Sequence, residues 1–136
     1  MIINALKDFL NTCPYLLGQK INVDFLDKDS GAYSINPVEC QPIIKRYAGG
    51  ECLKQFVFTI SGREDYDETK TTENAALYES IGNWIESSYL HNSLPALGNN
   101  KIPQKIEVLS SGHLFSDDIN SAGYMIKCRL IYLDNL

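Results

Sequence analysis

The stretch Ile43–Ile60, IIKRYAGGECLKQFVFTI, decides the architecture. Gly49-Gly50 tolerates the positive φ of a tight reversal, and apolar residues flank it on both sides. The spacing predicts a β-hairpin whose returning arm turns Phe56, Phe58 and Ile60 to one face, the arrangement of a core strand. A second stretch near the C-terminus, YMIKCRLIY at 124–132, puts Tyr124, Ile126, Cys128, Leu130 and Tyr132 on one face and Lys127 and Arg129 on the other. Strands with one dry and one wet face need a covering layer, and helices on either side in sequence can supply it.

Working outward, residues 2–13 carry Ile2, Leu6, Phe9, Leu10 and Cys13 at helical spacing, and Pro14 ends that helix. Lys20–Leu26 alternates as a strand with Ile21, Val23 and Phe25 on one face, and a short strand through Tyr33 and Ile35 stops at Pro37. The turn-forming run Asp27–Gly31 between them predicts a second hairpin. Ser61–Glu68 breaks the pattern as a charged loop. Residues 72–91 predict the longest helix, with Leu77, Ile81, Trp84 and Ile85 as its stripe, Tyr78 and Leu90 flanking, Thr71 or Thr72 as N-cap and Gly82 marking close packing. SLPALGNNKIPQ reads as a loop, Lys105–Leu109 as a strand and Ser110–Gly123 as a turn-rich stretch. The fold expected is α+β: one domain over 1–136, a mostly antiparallel sheet with helices packed on one face, in the order α-β-β-β-β-α-β-β.

The chain has 136 residues, 12 Lys and Arg against 17 Asp and Glu, and a formal net charge of -5. At 44% hydrophobic and 21% charged it has a globular composition. The acidic balance argues against binding a phosphate backbone and suits solubility, a basic partner or a surface that repels nucleic acid. No apolar run approaches a membrane span, and the N-terminus lacks the uninterrupted apolar core of a signal peptide. Cys13, Cys40, Cys52 and Cys128 form no CxxC pair, and each lies in or beside an apolar segment; free buried thiols are expected, with two disulfides the alternative.

A search for chemistry finds little. His91 and His113 have no metal-site partner at a recognisable offset, and His91 at a helix C-terminus suits the dipole. Cys128 with His113 could form a nucleophile–base pair on paper, but Cys128 sits on an apolar strand face. Nucleophile-elbow, phosphate-cradle and dinucleotide-fingerprint motifs are absent. The acids at Glu64, Asp65, Asp67 and Glu68, and at Asp117-Asp118, lack EF-hand spacing and read as solvated loops, or else as contact loops carrying Tyr66. No cofactor and no enzymatic activity are expected.

The order and spacing of FLNTCPYL (9–16), YSINP (33–37), IIKRYAGGECLKQFVFTISGRE (43–64), ESIGNWIE (79–86), LPAL (94–97), KIPQKIEVLSSGHLF (101–115) and YMIKCRLIY (124–132) span nearly the whole chain. Together they resemble the small tail-terminator, or tail-completion, proteins of long-tailed phages and prophages of Gram-positive hosts, also described as minor capsid or minor structural proteins. The resemblance implies an α+β subunit that forms a homo-oligomeric ring, commonly a hexamer, on the head-proximal end of the tail tube in the virion, after assembly in the host cytoplasm. It implies the major tail tube protein and head-completion proteins as partners, with no active site, no membrane and no sequence-specific nucleic-acid contact. The candidate contact loops are Arg63–Glu68 and Gly112–Asp118, with Arg63, Glu64, Asp65, Tyr66, His113, Phe115 and Asp117 as interface residues. Two other classes compete: an acidic inhibitor or immunity-type protein for a basic partner, and a ligand-binding or enzymatic domain with a closed pocket.

Overall fold

A computed structural model describes residues 2–16, 21–23, 32–65, 71–98, 100–117 and 121–135, with side chains for all of these except 32, 63–65, 71–75, 111–117 and 121–123. Among them are two helices, α1 (Ile2–Leu10) and α2 (Thr71–Leu90), and six strands. The strands are β1 (Ile21–Val23), β2 (Ala32–Val38), β3 (Ile43–Arg46), β4 (Cys52–Asp65), β5 (Lys101–Asp117) and β6 (Ser121–Asp134). The fold is α+β, and the elements follow the expected order.

β4 is the axis of the sheet. One of its edges pairs with β6 over the whole strand, from Cys52↔Asp134 to Asp65↔Ser121. The other edge is shared end to end by β3, against Cys52–Lys54, and β2, against Val57–Arg63. Between them, the Gln55 amide donates to the Pro42 carbonyl and its side-chain amide to the Gln41 carbonyl, so the ladder continues across the join. β5 flanks β6 as the outer strand. The hairpin read from Gly49-Gly50 is present as β3–β4, with Gly50 at φ 93°.

The other expected hairpin is not formed. β1 and β2 run parallel, with Ile21 opposite Tyr33 and Val23 opposite Ile35. Alternation reports which face a residue occupies and is blind to strand direction, so the same pattern fits either pairing. Phe25 and the turn residues Asp27–Gly31 lie outside the described residues.

Three stretches expected as loops or turns, Ser61–Glu68, SLPALGNNKIPQ and Ser110–Gly123, are in part strand. β4 runs on through Ser61-Gly62 to Asp65, and Gly62 is there for space rather than for a turn. A Cβ at Gly62 would collide with the hydroxyl of Tyr78 from α2 and lie 2.8 Å from the Tyr33 ring. β5 begins at Lys101 and extends to Asp117, absorbing its Ser- and Gly-containing residues through register shifts, as β-bulges do.

The core lies on the sheet face that the helices cover. Ile35, Phe58, Ile60, Ile106, Ile126, Cys128 and Leu130 meet Leu6 and Leu10 of α1 and Tyr78, Ile81 and Ile85 of α2, all of them fully buried. Phe9 and Trp84 join the helices, ring centroids 4.9 Å apart. Tyr78 stacks on Tyr124 at 4.9 Å and tilts against Tyr33, forming a tyrosine cluster over Gly62. The α2 stripe is therefore centred on Tyr78, Ile81 and Ile85, with Trp84 and Leu77 half-buried and Leu90 exposed. Gly82 is buried, as close packing requires. The side chains of Thr71 and Thr72, the expected caps, lie outside the description. At the other end Asn92 takes φ 57°, while Ser93 N–H donates to Ser88 and Asn92 N–H to Tyr89, which satisfies the last carbonyls of α2. Cys13, Cys52 and Cys128 are buried and all four cysteines are free thiols.

Candidate interaction surface

The candidate contact residues occupy one end of the sheet, as strand positions rather than loop positions. Arg63, Glu64 and Asp65 close β4 opposite Gly123, Ala122 and Ser121 of β6. Asp117 closes β5, opposite Ala122 from the other side. Glu64 and Asp117 thus flank one residue of β6, their backbones about 10 Å apart across two strand spacings. His113 sits opposite Met125, and Phe115 falls within the register shift between Leu114 and Ser116. Tyr66 lies outside the described residues. The sheet therefore brings the two candidate segments together.

Cys128 and the hydroxyls beside His91 are not armed as nucleophiles. Cys128 is fully buried, and burial, reinforced by the nearby Glu86 charge, pushes its thiol far above the ordinary range. Its register partner on β5 is Val108, whereas His113 faces Met125, so the strands do not pair Cys128 with His113. Ser87 Oγ lies 3.4 Å from His91 Nδ1, but that nitrogen donates to the Ser87 carbonyl at 2.8 Å and so cannot take the serine proton. Ser88 and Thr12 hydroxyls likewise donate to the Trp84 and Phe9 carbonyls. These groups line an open groove of about 350 Å³ between the C-terminal ends of α1 and α2, floored by Phe9 and Trp84. Among the described residues no group of three or more His, Cys, Asp or Glu could hold a metal ion, and no helix is long and apolar enough to cross a membrane.

The most organised polar chemistry lies on the sheet face away from the helices. There Arg129 of β6 donates to Glu107 of β5 through Nε at 2.7 Å and through a second guanidinium nitrogen, and approaches Gln55 of β4 at 3.5 Å. Lys105, on the outermost strand, completes the row, its Nζ 3.2 Å from Glu107 and, round the edge of the sheet, 5.7 Å from the ring centroid of Tyr89 on α2. Burial works to raise the Glu107 carboxyl, but its bonds to Arg129 and Lys105 outweigh that and hold it below the ordinary carboxylate range. The strand alternation marked Arg129 as outward, but Glu107 and Gln55 became its neighbours only through a register that no local pattern encodes. On the helix side, Lys54 meets Asp134 at 2.8 Å; that bond holds the buried Asp134 carboxyl low and the Lys54 ammonium pKa high.

The sheet's outer face is apolar at the end opposite the acids. Leu53 of β4 and Leu133 of β6 pair directly, Ile102 of β5 continues the row at 46% exposure, and Ile44 of β3 is 45% exposed. Lys45, opposite Leu53, caps the row. No protein-family profile matches the chain, and no curated protein does.

Proposed function

We propose that this chain is a structural subunit of a long-tailed phage or prophage, a tail-terminator ring protein that caps the tail tube and contributes to the head–tail joint. The observation that carries the reading is the ordered set of segments from FLNTCPYL to YMIKCRLIY, which resembles that family over nearly the whole chain. The architecture is compatible with it: both helices are committed to one face of the sheet, and a broad face and long strand ends are left for contacts. A ring needs two different surfaces on each subunit, joined head to tail and closed by rotation. In this reading the protein performs no catalysis, and its net charge of -5 suits a lumen through which DNA passes without adhering.

The test is light scattering on the eluting protein, alone and with purified tail tubes. A six-subunit mass, or one ring per tube end in electron micrographs, is expected. A protein that ignores both itself and tail tubes but forms a tight one-to-one complex with a basic protein would instead establish the inhibitor reading.

A further inference from the structure

We propose that the outer sheet face at the β3 end is a docking surface for the Glu64–Asp65–Asp117 end of a second copy of this chain. The inference deepens the ring reading and rests on it only for closure.

The argument begins with charge. Four basic residues occupy outer-face positions: Lys45 at the β3 end, Lys105 and Arg129 next along the sheet, and Lys127, opposite Thr59, midway along β4. One acid, Glu107, shares that face among the described side chains and is already bonded to Arg129 and Lys105. A chain with net charge -5 thus carries a locally basic surface. Beside it runs the apolar row Leu53–Leu133–Ile102, extended by Ile44. An apolar strip with a basic rim fits a partner that brings carboxylates beside its own apolar side chains.

Apart from Glu107, the acids at the far end of the sheet cannot reach that surface within one copy. β4 has 14 residues, with Lys45 and Leu53 beside its start and Glu64 and Asp65 at its end. At about 3.3 Å per residue the two ends are about 40 Å apart, several times the ~8 Å screening length at physiological salt. An acidic end that cannot reach its own basic face can meet that of another copy. The contact is heterologous, with a different surface used on each side, so it propagates to a ring or a filament and not to a two-fold dimer.

The experiment exchanges the charges. One variant carries Lys45→Glu and Lys127→Glu, a second carries Asp65→Lys and Asp117→Lys, and a third, Ile102→Glu, spoils the apolar row alone. Thermal unfolding verifies that each is folded. Sedimentation velocity at ~1 mM protein and low salt is expected to show self-association of the native chain that weakens at least tenfold in 0.5 M salt. Each variant alone should lose it, and the two charge variants mixed one to one should regain it, because each then offers the other an opposite charge. Association that survives all three variants would overturn this surface while leaving the ring reading intact. Open filaments that respond to the swap would sustain the surface and remove the ring. A native chain that stays monomeric at ~1 mM would overturn the docking outright. So would a short DNA duplex that binds the native chain and is lost with Lys45→Glu/Lys127→Glu, since the basic face would then serve a polyanion.

Discussion

The two faces of the sheet use the same strands and follow opposite rules. On the helix-covered face, Phe58, Ile60, Ile126, Cys128 and Leu130 are sealed, and their identities follow from alternation alone. On the outer face the intervening residues, Gln55, Val57, Lys127, Arg129 and Ile131, mix polar, basic and apolar types at partial burial, apart from Val57, which is buried. The covered face is specified by volume, so its tolerances are steric. The outer face is specified by cross-strand neighbours, so its tolerances are electrostatic and local.

That contrast can be broken by mutation, most forcefully at the centre of the covered face. Phe58→Ala should cost about 4 kcal/mol in chemical denaturation, since the cavity would lie between both helices and the sheet. A loss below about 1 kcal/mol would mean the two faces are packed alike. Gly62→Ala tests the opposite steric fault: forcing a Cβ against Tyr78 should cost about 2 kcal/mol and weaken the near-ultraviolet signal of the tyrosine cluster. An unchanged spectrum and midpoint would show that the close approach is not structural.

Smaller effects belong to the edge and the outer face. The Val108 amide on the free edge of β5 donates to Glu86 of α2 at 2.9 Å. Glu86→Ala should cost about 1 kcal/mol and expose that edge, read as increased light scattering on slow heating. Arg129→Met should change stability by less than about 1 kcal/mol, because partly exposed ion pairs contribute little. Loss above 2 kcal/mol would put this row on the same footing as the core.

Acid sharpens the comparison further. The Glu107 and Asp134 carboxyls are held low, so the stability they contribute is full above the unfolded carboxylate pKa, about 4, and falls as pH drops through their lowered folded values. The raised Lys54 works the other way, its contribution being lost as pH rises through its folded value. In thermal scans, Glu107→Gln and Asp134→Asn should each flatten the acid limb between about pH 4 and 2. An acid limb identical to that of the native chain would remove both pairs from the account.

The sequence made the covered face legible because burial imposes a period that any window of residues displays. The Gly49-Gly50 reversal, the α2 helix and the inward row of β6 could all be read in this way. Direction and register could not, since β1 alternates identically whether it runs with or against β2. Gly62 misled for a related reason: its composition suits a turn, while its cause is Tyr78, a contact from another element. The acidic positions were legible as a cluster, but their convergence around Ala122 depends on which strands adjoin β6. The Arg129–Glu107 pair is wholly a product of register.

The placement of β4 carries a consequence for the order of events as the chain is made. β2 and β3 can zip onto one side of it from nearby sequence, but its other side waits for β6, beyond all of α2 and β5. Pairings this remote in sequence form slowly, on the millisecond-to-second scale of sheet-rich topologies. Until β6 arrives, a nascent chain holds Phe56-Val57-Phe58 on an unpaired edge, competent to recruit the same strand of another copy. Expression yield should therefore depend on how quickly the C-terminal hairpin emerges, a kinetic vulnerability that the finished, fully flanked strand conceals.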